Sequence, residues 1–161
     1  MYDKRLRSYR PKWFKTWELV SKAAYQARGE KAMLGMDARL LITIDELRTL
    51  LSEIDPKKAA LICNNWKAGG SRGYSGLRLA SDKHFTPFSA HGRGQAVDLI
   101  SNHYTAQELR DLIIKHKDRF PYLTRMEEGV SWLHLDVFNL PEDAPENAIL
   151  LFTKSGETRY A

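Results

Sequence analysis

From Val130 to Phe138 the chain alternates in character. Trp132, His134, Asp136 and Phe138 fall on one face of a predicted strand, and Ser131, Leu133, Leu135 and Val137 on the other, which reads as the core side. AVDLI (96–100) predicts a second strand, with Ala96, Asp98 and Ile100 sharing a face. The mostly apolar run AALICNNW (59–66) predicts a buried strand. ILLFTKSGETRYA (149–161) predicts a strand, a turn at Ser155-Gly156 and a short return strand. Three stretches carry helical signals instead. TWELVSKAAYQARG (16–29) predicts a helix closed near Gly29. Thr43-x-x-Glu46 reads as a capping box opening a helix that Asp55-Pro56 ends. Thr105-x-x-Glu108 is a second box, with Pro121 just past the end of its helix. Residues 67–78, KAGGSRGYSGLR, hold four of the ten glycines and predict a loop. Helices, strand, long loop, strand, helix, strand and hairpin together predict an α+β fold, with a small, mainly antiparallel sheet and helices on one side.

The length, 161 residues, fits one domain with a core that needs no disulfide. The single cysteine, Cys63, excludes an intrachain disulfide and reads as a structural thiol. No apolar run is long enough to predict a membrane span. The N-terminal MYDKRLRSYRPKWFKTW has no apolar segment of the kind a secretory signal needs, so synthesis without a signal peptide is expected. The net charge of +5 is concentrated at one end. Residues 1–15 carry Lys4, Arg5, Arg7, Arg10, Lys12 and Lys15 against Asp3, while the remainder sums to zero. The expected organisation is a basic N-terminal arm, 1–15, ahead of a single domain, 16–161. The arm reads as a solvated terminus or as a contact for an anionic polymer.

The candidate chemistry lies on the two alternating strands. Pairing them with His134 beside Asp98 brings an imidazole and a carboxylate together on one sheet surface. His91, returning across Gly92 and Gly94 in SAHGRGQAVDLI, supplies a third donor. Two histidines and an aspartate with an open fourth position suit a catalytic zinc, one per chain. Glycines in that turn let backbone and ligand approach closely. His84, His103 and His116 read as loop or surface residues.

The full pattern is Ser89-x-His91-x-x-Gly94-x-Ala96-x-Asp98, followed by Trp132-Leu133-His134-Leu135-Asp136, with Tyr74-Ser75-Gly76-Leu77-Arg78 upstream. It resembles the zinc peptidases of the D-alanyl-D-alanine carboxypeptidase and dipeptidase family, whose relatives include phage L-alanyl-D-glutamate endolysins, lysostaphin-type enzymes and the hedgehog domain. The resemblance spans roughly residues 60–140. It implies His91, Asp98 and His134 as zinc ligands, and Arg78 and Ser89 as holders of a substrate carboxylate or carbonyl. A guanidinium suits a carboxylate because its donors form a fork.

Hydrolysis also needs a general base. Many members of the family have a carboxylate three residues before the last histidine, where this chain has Ser131. Glu128, at an offset similar to that of the hedgehog glutamate and with the strand parity of His134, is the expected base. Glu127 and Asp136 are the alternatives, Asp136 also as a group orienting a ligand. The implied activity is hydrolysis of peptidoglycan stem peptides, as an endopeptidase first and a D,D-carboxypeptidase second. A compact chain with no signal, no anchor and a basic N-terminal arm is expected to be a phage or prophage enzyme reaching the wall on release or within a virion, and a monomer is expected. Two other readings stay open: a zinc-containing wall-binding or virion structural module without turnover, and nucleic-acid binding by the arm, which the neutral remainder disfavours.

Overall fold

The computed structural model describes residues 2–161. Four α-helices, α1 (Thr16–Leu19), α2 (Lys22–Arg28), α3 (Ala38–Ile54) and α4 (Ala106–Lys115), accompany five strands. These are β1 (Ala96–Leu99), β2 (Arg125–Glu128), β3 (Leu133–Asp136), β4 (Leu150–Thr153) and β5 (Thr158–Tyr160). They form one open sheet in the order β1-β3-β2-β4-β5. Only β2 and β4 run parallel; the other pairs are antiparallel. The architecture is therefore the expected α+β with a mostly antiparallel sheet.

One face of the sheet is apolar. Val97, Leu99, Met126, Leu133, Leu135 and Leu151 are fully buried. They join Leu40, Ile44, Leu47 and Leu51 of α3 and Leu109 and Ile113 of α4 in a single core. The alternation of β3 reads directly in this packing, since Leu133, Leu135 and Val137 are all fully buried.

Several elements differ from the expectation, each for a local reason. The helix over 16–29 is broken, because Val20 is extended (φ −126°, ψ 155°) and Ser21 starts a new helix by accepting from the Ala24 amide. The break lets Ser21 N–H donate to the Leu77 carbonyl and draws the glycine loop onto the body. α3 opens at Asp37, whose carboxylate caps Arg39 N–H, well before the expected Thr43. Thr43 sits inside the helix and donates its hydroxyl back to the Arg39 carbonyl. The Thr105–Glu108 box does open α4. The stretch 59–66 makes only a single bridge, Ile62 to Ile100. Past it, Asn64 bonds the Val20 carbonyl and the Ser75 amide, and Asn65 accepts from Arg72 N–H, which turns the chain out of strand geometry. β2 is a strand the pattern did not announce, and Gly129 (φ +74°) bends the chain between it and β3.

The basic segment before Thr16 is fastened to the body in both halves, the first by Tyr122 Oη donating to Asp3 Oδ2 (2.7 Å). Asp45 of α3, buried, accepts from Tyr9 Oη (2.8 Å), Lys12 N (2.6 Å) and Trp13 N (3.2 Å). The six cationic side chains stay exposed. No helix among the described residues is long and apolar enough to cross a membrane.

Candidate metal centre

β1 and β3 pair with Asp98 opposite His134, as the alternation requires. His91 comes from a single 3₁₀ turn, Ala90–Arg93, whose start is capped by Ser89 Oγ accepting from His91 N–H (3.2 Å). Gly94 ends that turn in the left-handed region (φ +68°), and a Cβ there would lie 1.9 Å from the Gly35 carbonyl oxygen. The glycine thus serves a close backbone approach to the segment before α3, which the Asp37 N–H to Gly94 carbonyl bond fixes.

One ligand atom each from His91, Asp98 and His134 lies within 4.8 Å of the others. The imidazole nitrogens are sorted by their partners. His91 Nδ1 faces the Gly76 carbonyl (3.1 Å), so it carries the proton and leaves Nε2, 3.3 Å from Asp98 Oδ2, as the donor. His134 Nε2 faces Asp136 Oδ2 (2.9 Å), leaving Nδ1, 2.8 Å from Asp98 Oδ1. Asp136 is itself fully buried and held by Arg125 through two bonds of 2.8 and 2.9 Å. Each imidazole thus has its outer nitrogen tied to an oxygen and its inner nitrogen turned to the common carboxylate, the arrangement that orients histidines on a metal. Donors about 2.0–2.1 Å from a tetrahedral ion stand about 3.3 Å apart; the two imidazole nitrogens stand 3.3 and 2.8 Å from the Asp98 oxygens. The group can hold a metal ion, and its donor set fits zinc.

Asp98, Asp136 and His134 shift one another's protonation. Burial alone would raise Asp98, but hydrogen bonds from His134 and His91 hold its carboxyl well below the usual carboxylate range. Burial pushes His134 down, yet the carboxylates of Asp136 and Asp98 outweigh it and lift the ring to about 9. Asp136 is held low, against its burial, by His134 and Arg125.

The ligands floor a cleft of about 350 Å³ lined also by Arg78, Phe88, Ser89, Arg125, Glu127, Trp132 and Phe152. Arg78 and Ser89 therefore stand at the site, although Ser89 Oγ is engaged with the His91 backbone. Arg78 donates from Nε to the Tyr74 carbonyl (2.6 Å) and from Nη1 to the His84 carbonyl (3.1 Å). Only Nη2, 3.7 Å from Asp98 Oδ2, is left facing the ligands, so the guanidinium does not present an intact fork.

The two glutamates separate. In the β2–β3 hairpin Arg125 pairs with Asp136 and Met126 with Leu135, so odd residues of β2 share the face of even residues of β3. Glu127 therefore lies on the face of His134 and lines the cleft. Glu128 falls on the face of Met126, away from the metal ligands, and its carboxylate is taken by Arg159 through bonds of 2.6 and 3.1 Å. The expected placement of Glu128 fails because parity counted along one continuous strand is inverted by the bend at Gly129. Asp136 is in contact with His134 but closed off by Arg125.

Three residues escaped the sequence reading. Arg125 and Phe152 come from strands whose partners only the fold reveals; Phe152 packs edge-on against His134 with centroids 5.7 Å apart. Arg110 of α4, buried, donates to the carbonyls of Glu127, Val130 and Trp132 and so fixes the bend between β2 and β3. A charged residue inside the apolar stripe of α4 was the available signal. Cys63 is fully buried, and burial pushes its thiol far above the usual range, which excludes it as a nucleophile. Compared with protein-family models, with curated proteins and with solved structures, the chain matches none.

Proposed function

We propose that the protein is a zinc-dependent peptidase acting on peptidoglycan stem peptides. The observation that carries this reading is the convergence of His91, Asp98 and His134 on the floor of a cleft that also holds a carboxylate, Glu127. The sequence resemblance supplies the substrate class, and with it the setting of a phage or prophage lysis or virion enzyme. His91, Asp98 and His134 would hold a zinc ion, which would supply a Lewis acid for the scissile carbonyl and lower the pKa of water toward about 7.

The rest falls to the chain's own groups. Glu127 takes a proton from the attacking water and returns it to the leaving amine. Arg78 Nη2 donates to the substrate carbonyl oxygen as charge develops there. Asp136, anchored by Arg125, keeps the proton of His134 on Nε2 and so keeps Nδ1 free for the metal. Ser89 holds the His91 turn in place.

The test is digestion of purified sacculi with protein carrying one zinc per chain. New amino termini are expected, with Glu127→Gln lowering their release about 10²- to 10⁴-fold at unchanged zinc content. A zinc-loaded wild type that releases nothing would leave the site as a metal-clipped binding module.

A further inference from the structure

A groove of about 580 Å³ shares no lining residue with the metal cleft. It is lined by the second half of the basic segment, by α1 and, from the glycine loop, by Lys67. Four cations stand in it, Arg10, Lys12, Lys15 and Lys67, and all four are exposed. Among the described residues none of the four forms an ion pair. The groove also holds two carboxylates, and both already accept from neutral donors. Glu18 accepts from Lys15 N (2.8 Å), and Glu30 from Thr16 Oγ1 (2.5 Å) and Tyr25 Oη (2.8 Å). Four cations against two carboxylates leave a positive surplus on one small surface, although residues 16–161 sum to zero. The cations are not a loose tail. The Asp45 bonds to Lys12 N and Trp13 N fasten this stretch to α3, and Lys67 belongs to a different part of the chain.

The aromatic residues around the groove narrow the ligand. A protein that binds single-stranded nucleic acid offers bare ring faces on which successive bases stack. Here the rings carry cations instead. Trp13 has Lys12 Nζ 4.6 Å and the Arg48 guanidinium 5.0 Å from its centroid, and Tyr25 has Lys67 Nζ at 4.8 Å. Trp17 meets Trp66 edge-on, with centroids 6.4 Å apart. Cations propped on rings suit phosphates spaced along a chain, and they leave little for a base to stack on.

We infer that this groove binds a polyol-phosphate polymer, a repeating phosphodiester chain without bases. Arg10, Lys12, Lys15 and Lys67 take successive phosphates, and the carbon links between phosphates lie against Trp17. The inference does not rest on the peptidase reading, since no group of the metal cleft takes part.

The experiment titrates the full chain with soluble poly(glycerol phosphate) over a series of salt concentrations. Saturable binding is expected, with log K falling against log salt at a slope of about −3, as four phosphate contacts on a single strand require. Lys12→Gln, Lys15→Gln and Lys67→Gln should each reduce that slope by about 0.7 and weaken binding about fivefold at about 0.1 M salt. Lys4→Gln and Lys154→Gln, exposed lysines outside the groove, should change affinity by less than about twofold. Lys67→Gln is decisive, because a merely basic N-terminal tail would not sense it. All the substituted side chains are exposed, so the variants keep the fold, and melts check that they do. Three results overturn the inference. One is the absence of saturable binding. Another is a loss for Lys4→Gln as large as that for Lys67→Gln, which would mean diffuse attraction to the arm. The third is binding of oligo-dT with the same number of phosphates as tightly or more tightly, which would make the groove a nucleic-acid site. No peptide release enters these readings, so they stand or fall apart from the peptidase proposal.

Discussion

The two faces of the same five-stranded sheet are built on opposite principles. On the core face, Val97, Leu99, Met126, Leu133, Leu135 and Leu151 are interchangeable in kind: each contributes buried apolar area, and none depends on the orientation of one partner. On the other face, Asp98, Arg125, His134 and Asp136 form a chain of oriented hydrogen bonds, from Arg125 through Asp136 to His134 and Asp98. The core face sets stability; the polar face carries the candidate metal group. Because the strands alternate, adjacent residues serve the two ends, and single substitutions one position apart should separate them.

The sharpest separation is between His134 and Leu135. His134→Ala should take zinc from about one per chain to none and remove peptide release with it, while the protein remains folded. Leu135→Ala should cost about 2–5 kcal/mol of stability through the cavity it leaves, with zinc stoichiometry unchanged in the folded fraction. Metal analysis beside denaturant titration reads both. Zinc retained in His134→Ala would remove that residue from the ligand set.

A smaller effect follows from the charge state of the polar face. In the metal-free protein His134 holds its proton up to about 9, against an ordinary value near 6.5. Zinc must displace that proton, so affinity should rise about tenfold per pH unit from pH 6.5 towards 9. The stability of the metal-free protein runs the other way. A group whose pKa is raised on folding adds stability below its unfolded value, and that stability is lost as pH rises through the folded one. Raising pH from 6.5 to 9 should therefore lower the Tm of the metal-free protein while tightening zinc. Zinc titrations at several pH values and matching melts check both slopes, and a pH-independent affinity would mean that the proton is not there. Asp136→Asn removes one of the two carboxylates that hold the proton, and it should shift both trends to lower pH.

How much of this could be read from the chain depended on whether the information was local. The period-two alternation of 130–138 and 96–100 carried the sheet faces and the pairing of Asp98 with His134, because a one-residue slip would have exposed Leu133 and Leu135. Thr105 and Glu108 announced α4 for the same reason: a cap is satisfied within four residues. Thr43 and Glu46 offered the same spelling but lie within a helix already opened by Asp37, since a capping pair does not reveal which candidate the preceding turn selects. Ser21 broke the first helix because its amide is needed by Leu77, more than fifty residues away. The identity of the cleft carboxylate was least legible. It hangs on a bend at Gly129 braced by Arg110 from another element, and one bend residue more or fewer inverts which glutamate faces the cleft.

The smallest expected effect is also the test of that last point. Glu127 and Glu128 are adjacent and chemically identical, so only the sheet face distinguishes them. Glu128→Gln removes a carboxylate whose partner, Arg159, is exposed, and exposed ion pairs contribute little. Zinc content should not move, and peptide release should change by less than about twofold, set against the large loss expected for Glu127→Gln. The comparison uses the same substitution at neighbouring positions on one strand, so altered folding or net charge cannot produce the difference. Equal losses in the two variants would mean that both carboxylates reach the reacting water, and the hairpin register that separates them would have to be abandoned. A loss confined to Glu128→Gln would return the base to position 128 and turn the β2 face over.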